Sequence, residues 1–233
     1  MESPPTGTRG QWVRLSVLLL ALSAAPTVEA GRAGEVRVQA FRDLAEGVSL
    51  YKNGDYAKAV RRLRASAKVA LNNFRANYYL GLALIGDRRY RDALDALDVA
   101  IDLDPGHLQS HVAVGDAWLK LGDLNEAKAS YYRALKIRAA YPAALDGLGR
   151  VLEAQSKTEE AIVQYRQAIA SDRGFAEAYT HLGDLYLRQN RFEEAVLLLQ
   201  EAVTIRPDHG PGLNRLALAL GRLGLDNQAI ATI

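Results

Sequence analysis

The sequence predicts an all-α protein in which antiparallel helix pairs stack into a solenoid of about five and a half repeats. Three observations predict this fold. Small residues recur at a step of 34 along most of the chain, and large apolar residues recur between them at helical spacing. Short segments rich in Gly, Asn and Asp separate the helices of each pair, as tight turns require.

The register of small residues is the strongest of these signals. One set holds glycine or alanine 34 residues apart, at Gly47, Gly81, Gly115, Gly149, Gly183 and Ala217. A second set keeps the same step at Ala59, Ala93, Ala127, Ala161, Ala195 and Ala229. Helices that approach to about 8 Å need a residue without bulk where they cross. We therefore expect the glycine of each first helix to pack against the second helix of its pair.

The repeats follow one another without insertions, at about residues 40–73, 74–107, 108–141, 142–175 and 176–209, with an incomplete repeat at 210–233. Leu121-Gly122-Asp123 and Gln189-Asn190-Arg191 are typical of turns inside a pair. Pro142 is suited to open a helix. In the last repeat, the sequence predicts no following helix that would bury Ile230 and Ile233. We favour truncation of a longer protein, and the alternative is that this end docks onto a partner or self-associates.

The detailed pattern resembles the tetratricopeptide repeat. In the second repeat the matching residues are Leu80-Gly81, Tyr90, Ala93, Ala100 and Pro105, and in the fifth they are Leu182-Gly183, Tyr186, Phe192, Ala195, Ala202 and Pro207. The resemblance implies a right-handed superhelix whose concave groove binds segments of other proteins. It is specific for fold and weakly specific for function, because this scaffold serves many unrelated partners.

The first 30 residues are typical of a secretory signal. Arg9 and Arg14 precede an uncharged run from Leu15 to Ala25, and Val28-Glu29-Ala30 has small residues where a signal peptidase cleaves. We predict a cleaved signal peptide at 1–30, a linker at 31–39 and the repeat domain at 40–233. The alternative is an uncleaved membrane anchor, although the apolar run is shorter than the roughly 20 residues that span a bilayer. The predicted location is secreted or periplasmic.

Composition argues against several functional classes. A net charge of +2 is far from the basic field of a nucleic-acid binder, and a chain without cysteine has no thiolate ligand or thiol nucleophile. His107 and His111 stand four apart, but His107 follows a Pro-Gly turn and no acidic residue lies between them. We therefore expect no metal, no cofactor and no catalytic activity.

The resemblance places a predicted partner-binding groove along the first helices. Its N-terminal half is apolar and aromatic, with Tyr78, Tyr79, Leu82, Ile85, Val112 and Leu119. Its C-terminal half is polar, with Arg150, His181, Asp184, Arg188 and Arg215, accompanied by Asp146, Glu153, Thr180, Asn214 and Arg222. We expect an extended or helical segment with apolar anchors at one end and charges at the other. The alternative is that the tyrosines only cover neighbouring helices and the charges only keep the surface soluble.

These observations predict a non-catalytic, exported scaffold that binds other proteins. The alternative function is the N-terminal recruiting segment of a larger enzyme, such as a glycosyltransferase or peptidase, whose catalytic part lies beyond Ile233. Neither nucleic acid nor, after signal cleavage, a membrane is an expected partner.

Overall fold

The computed structural model describes residues 32–69 and 73–232, and these form twelve α-helices and no strand. The predicted signal peptide lies outside the described residues. Helix α1 is described from residue 32 to 52. The others are α2 (Tyr56–Val69), α3 (Phe74–Gly86), α4 (Tyr90–Leu103), α5 (Leu108–Leu121), α6 (Leu124–Ile137), α7 (Pro142–Ala154), α8 (Thr158–Ser171), α9 (Ala176–Arg188), α10 (Phe192–Ile205), α11 (Gly210–Arg222) and α12 (Asp226–Thr232).

The helices pack as consecutive antiparallel pairs, each of which also packs against the next pair. The odd-numbered helices are the first helices of the pairs and the even-numbered helices are the second helices. From α3 to α11 the first helices begin 34 residues apart, at Phe74, Leu108, Pro142, Ala176 and Gly210. The predicted all-α solenoid is confirmed.

Small residues allow this close packing. A Cβ on Gly81 would lie 2.5 Å from Cγ of Leu97, so a larger side chain would collide with the second helix of the pair. Ala93 and Ala127, on second helices, are fully buried. Local signals fix where the helices begin and end: the Asp123 carboxylate accepts a hydrogen bond from the Glu126 N–H at the start of α6. Gly122 has a φ of 85°, which favours glycine at the preceding turn.

Residues 32–39, which the sequence suggested as a linker, are the first turns of α1 in the structure. The physical reason is that this segment contains no proline, and Glu35, Arg37 and Gln39 are good helix formers that extend the helix of the first repeat backwards. The segment is exposed along its length, and Ala40 is the first buried residue of the described helix.

The C-terminal pair leaves apolar surface uncovered. Ile230 in α12 is 75% exposed, whereas the residues one or more repeats earlier, Val196, Ile162 and Leu94, are buried against the first helix that follows each of them. None of the helices in the described residues combines the length and apolarity needed to cross a bilayer.

Candidate protein-binding groove

The first helices form one side of the solenoid and the second helices form the other. The backbones of successive first helices pack on one another in α3, α5, α7, α9 and α11, whereas the backbones of successive described second helices lie further apart. Side chains still reach across the wider edge, since the Arg64 guanidinium of α2 lies 3.9 Å from the Asp92 carboxylate of α4. A stack whose elements touch along one edge and separate along the other curves towards the touching edge. The first helices therefore line the inner surface, as the resemblance implied, and the groove residues are those that face inwards from them.

The apolar half of the groove brings its predicted residues together across α3 and α5. Tyr78, Tyr79, Leu82 and Ile85 of α3 are half-buried, as are Val112 and Leu119 of α5. Tyr79 packs on the buried core between the first two repeats, and Tyr78 packs on the core between the second and third. These side chains thus cover neighbouring helices and also present apolar surface to solvent.

An aromatic cluster in this half is larger than the sequence predicted. The ring centroid of Tyr79 lies 5.3 Å from that of Tyr78 and 6.0 Å from that of Tyr51 in α1, both edge-on. Tyr78 also contacts the His107 ring at 4.7 Å, and Phe74 contacts the same ring at 4.6 Å. Such edge-to-face contacts favour a fixed arrangement of rings. Tyr51, at the register position of Ile85, was not predicted because no groove residue was selected in the first repeat, and Phe74 and His107 were not predicted because they lie at the start of α3 and before α5, outside the selected positions.

Burial favours the neutral forms of Tyr78 and His107 in the aromatic cluster. Burial, with the nearby hydroxyls of Tyr51, Tyr79 and Tyr141, raises the pKa of Tyr78 well above its usual value. Burial lowers the pKa of His107, an effect that the Asp104 carboxylate opposes. The Nδ1 atom of His107 accepts a hydrogen bond from the Ser110 N–H at the start of α5. The apolar half of the groove therefore offers ring faces and neutral hydroxyl groups.

The polar half begins with a linked set of side chains on α5, α6 and α7. The Arg150 guanidinium lies 2.7 Å from Oδ1 of Asp116, and the buried hydroxyl of Tyr131 donates to the same oxygen at 2.8 Å. Burial and the Asp116 carboxylate raise the pKa of Tyr131, so its hydroxyl remains a donor. These three groups tie the first helices of the third and fourth repeats together.

Further pairs continue along the groove. The Glu153 carboxylate accepts hydrogen bonds from the Tyr165 hydroxyl and the Arg188 guanidinium. Asp184 accepts from Arg215 at 2.8 Å, and Arg188 lies 3.3 Å from its other oxygen. The structure thus connects the fourth, fifth and sixth repeats through charged groups.

A histidine and a buried carboxylate complete the set. Nδ1 of His181 in α9 donates to Asp146 in α7 at 2.7 Å, and Asp146 is only 4% exposed. Beside them, Nε2 of His209 lies 3.1 Å from the Thr180 hydroxyl. His111, by contrast, donates to the Pro105 carbonyl at 2.9 Å and packs within its helix.

The polar half is therefore a network of mutually paired charges. Asp116 and Arg150 are 34 residues apart and so occupy equivalent positions of adjacent repeats, whereas Asp146 and His181 are 35 apart, one residue off that register. The register selects these residues but does not indicate that they pair. Opposite charges at a separation of one repeat would have been the signal. Within the described residues, no group of three His, Cys, Asp or Glu side chains is placed to hold a metal ion.

Comparison with known proteins decides the family. The tetratricopeptide repeat model matches residues 44–107, 83–144 and 147–210, which is more than half of the chain. The chain belongs to the tetratricopeptide repeat family. The resemblance noted from the sequence is thereby confirmed.

Relatives within the tetratricopeptide repeat family are distant in sequence. The chain is 28% identical to the heat shock protein STI1 of Saccharomyces cerevisiae over 116 residues, which is 47% of this chain and 19% of that protein. It is 26% identical to a TPR repeat-containing protein of Methanocaldococcus jannaschii over 124 residues, which is 53% of this chain and 22% of that protein. The chain thus spans about a fifth of the length of these two curated relatives.

Solved tetratricopeptide structures share the fold. A thermophilic TPR protein of Thermus thermophilus superimposes with a TM-score of 0.70 at 22% identity, covering 78% of this chain and 98% of that one. The protein YrrB, described as a TPR protein with an unusual peptide-binding site, gives a TM-score of 0.50 at 20% identity, covering 81% of this chain and 95% of that one. At these identities the likeness establishes the fold alone.

Proposed function

We propose that this tetratricopeptide protein is an exported, non-catalytic scaffold that holds a segment of a partner protein in its concave groove. That the fold is a protein-interaction scaffold follows from the family. The finer proposal rests on one observation, the aromatic cluster of Tyr51, Phe74, Tyr78, Tyr79 and His107. Aromatic side chains are enriched where proteins bind, because they bury a large area and lose little conformational entropy.

The two halves of the groove have different roles in this proposal. The apolar half supplies the contact energy, since its half-buried side chains lose their remaining exposure when a partner covers them. The polar half keeps the repeats in fixed relative positions through the Asp116–Arg150, Asp146–His181 and Glu153–Arg188 pairs. A groove that is already rigid loses less entropy on binding. YrrB, which shares the fold, has a peptide-binding site by its description.

Export is supported by the sequence of residues 1–30, with its basic start, apolar run and small residues at the cleavage position. The partner in this proposal is therefore another protein outside the inner membrane. The alternative of a recruiting segment within a larger enzyme stays a prediction, and reading the gene downstream of Ile233 decides it. Self-association through the exposed Ile230 surface also stays a prediction, and sedimentation at several protein concentrations tests it.

Affinity capture tests the groove. The wild-type protein and the double variant Tyr78→Ala, Tyr79→Ala serve as baits for the exported protein fraction, and mass spectrometry identifies what is retained. The matched control is Phe41→Ala, because Phe41 is a 70% exposed aromatic residue of α1 that belongs to no buried cluster. We expect the control to retain the wild-type partner. The double variant should lose it while keeping a helical far-UV spectrum and a cooperative melting transition.

Calorimetric titration of the identified partner then gives the size of the effect. Truncation of aromatic hot-spot residues commonly lowers binding free energy by about 2 kcal/mol or more. Equal dissociation constants for wild type and the double variant would reject the groove as the binding surface.

A further inference from the structure

The outer surface of the solenoid carries two open clefts that the groove does not involve. The backbones of α6, α8 and α10 are not packed on one another, so a cleft remains between each of these second helices and the next, with the intervening first helix as its floor. One cleft, between α6 and α8 over α7, has a volume of about 200 Å³. The other, between α8 and α10 over α9, has a volume of about 340 Å³. Both lie on the side opposite the groove.

The two clefts are built from equivalent residues of adjacent repeats. Leu148 and Leu152 on the floor of the first correspond to Leu182 and Tyr186 on the floor of the second, 34 residues later. On the outer wall, Val163 of the first corresponds to Leu197 of the second. A ligand that fits one cleft can therefore present a similar group to the other.

Apolar side chains at these clefts face solvent. Tyr132 is 52% exposed, Val163 is 50% exposed and Leu197 is 65% exposed, and we name these three residues the outer strip. At the position of Val163 and Leu197, the first two repeats have the exposed charged residues Arg61 and Asp95. At this register position, exposed large apolar side chains therefore occur only on α8 and α10 among the described second helices, and neighbouring exposed apolar residues of this kind can mark an interaction site.

Lys128 breaks the pattern of the other repeats. Its equivalents Val60, Leu94, Ile162 and Val196 are aliphatic and buried. The ammonium group of Lys128 lies 5.8 Å from the centre of the Tyr132 ring. In the described part of the chain it has no carboxylate within 4.0 Å. A lysine in place of an aliphatic residue puts a positive charge on the wall of the first cleft.

The charges around both clefts leave positive charge unmatched. Glu160 at the first cleft lies 3.6 Å from Lys157, and Glu194 at the second is paired with Arg191. Arg166, which lines the second cleft, donates to the Tyr186 hydroxyl at 2.8 Å and, among the described residues, has no carboxylate within ion-pair distance. The pKa of Glu194 is lowered by its hydrogen bond with Arg191 and, to a lesser extent, by the charge of Arg166, so Arg166 is partly balanced, whereas Lys128 has no ion-pair partner among the described residues. A ligand with negative charge beside its apolar groups complements this surface.

The spacing of the clefts matches an α-helix. The two floor helices, α7 and α9, pack on each other, and helices in contact lie about 8–10 Å apart, so the floors of the two clefts are separated by about that distance. Two residues seven apart on an α-helix lie on one face, separated by about 10.5 Å. From these observations we propose that the outer strip binds an acidic amphipathic α-helix of a partner protein. Aliphatic residues at i and i+7 enter the two clefts, and Asp or Glu side chains face Lys128 and Arg166.

A peptide library tests this proposal on the full chain. The probe is a displayed library of peptides of about 20 residues on an alanine-rich helical frame, long enough for isolated helix formation. Binders are selected on the wild-type protein. We expect the selected peptides to carry aliphatic residues at i and i+7 with adjacent acidic residues. Selection of proline-containing or basic peptides, or of no peptide at all, would overturn the proposal.

The most abundant selected peptide is then measured by fluorescence anisotropy against variants. Val163→Ser combined with Leu197→Ser removes the apolar contacts without changing the charge, and it should weaken binding by about tenfold or more, as loss of a hot spot does. Both side chains are at least half exposed, so a melting curve should show the variant folded. Lys128→Met, which keeps the length of the side chain, should weaken binding and reduce its dependence on salt.

The groove variant Tyr78→Ala, Tyr79→Ala separates the two surfaces. Binding of the selected peptide should be unchanged in this variant, and a loss would move the site to the groove and overturn the proposal. The proposal would also be overturned if the wild type forms a dimer and the Val163→Ser, Leu197→Ser variant sediments as a monomer, since the outer strip would then be an interface between copies of this chain.

Discussion

Tyr131 is held between two glycines of different repeats, and this arrangement makes Gly147→Ala a sharp test of the packing. The Tyr131 ring is fully buried. A Cβ on Gly115, in the same repeat, would lie 2.6 Å from Cε1 of the ring, and a Cβ on Gly147, in the next repeat, would lie 2.3 Å from the same atom. The hydroxyl is fixed by its hydrogen bond to Asp116. The ring therefore cannot shift to make room for a methyl group added at either glycine.

The expected change in the free energy of unfolding of Gly147→Ala is the difference between a packing cost and a gain in helix propensity. Ordinary carbon contacts need about 3.5–4 Å, so the added methyl forces a shift of about 1 Å in a packed core, which destabilises by about 1–3 kcal/mol. Alanine in a helix is favoured over glycine by about 1 kcal/mol. Since the ring is held on both sides, we take the upper end of the packing range and expect a net loss of about 2 kcal/mol. For a domain of this size that lowers Tm by about 4–8 °C.

Gly221→Ala is the matched control. Gly221 is also helical, in α11, but a Cβ there would meet nothing within 4 Å. We expect this variant to be stabilised by about 0.5–1 kcal/mol, because the higher helix propensity of alanine is not offset by a packing cost. Thermal unfolding followed by circular dichroism compares both variants with wild type.

The chain supplies its own rescue for Gly147→Ala. One repeat earlier the equivalent positions hold Leu97 and Ala113, both buried. Tyr131→Leu combined with Gly147→Ala copies that pair, and we expect a favourable coupling of about 1–2 kcal/mol between the two substitutions. If Gly147→Ala and Gly221→Ala instead shift Tm in the same direction, the assignment of Tyr131 as a wedge between repeats is refuted.

Other features of the molecule give three more expected outcomes. Burial lowers the pKa of His107, so its contribution to folding stability is complete above its unfolded pKa of about 6.5 and is lost as the pH falls through its folded pKa. The variant His107→Asn keeps a side chain that can cap α5 but does not titrate. The melting temperature of the wild type should therefore fall relative to that of His107→Asn between pH 7 and pH 5. Lys128→Ile should raise the free energy of unfolding by about 1 kcal/mol in denaturant unfolding, because an aliphatic residue at this position is buried in other repeats. The same variant should bind an acidic helix more weakly. A loss of stability would contradict the register argument. Exported protein should have an intact mass that begins at Gly31, and a mass that includes residues 1–30 would reject the predicted cleavage.

The fold could be predicted from the sequence because its determinants are local and repeated. Gly81, Gly115 and Gly149 are required where helices cross, and a step of 34 makes that requirement visible in one sequence. The extent of α1 was harder to predict. Residues 32–39 contain Gly34, which weakens a helix, but no proline that would end one, so the segment is compatible with either a linker or an extension of α1.

The candidate groove residues stay a prediction from the repeat register, which does not specify their contacts. Tyr78 and Tyr79 were selected by register, but their contacts with Tyr51 and His107 depend on side-chain directions that spacing does not specify. The outer clefts were missed for a different reason. They exist because the second helices separate, and Lys128 stands out only when its position is compared with the buried residues of the other repeats.

The separation of the second helices also has a mechanical consequence. Within α3 to α12, the first helices pack on one another continuously along the inner edge of the solenoid, whereas gaps remain between the second helices along the outer edge. A small change in the angle between adjacent repeats narrows one side as it widens the other. The width of the inner groove and the width of the outer clefts therefore change together and in opposite directions. A ligand that widens the outer clefts would narrow the inner groove.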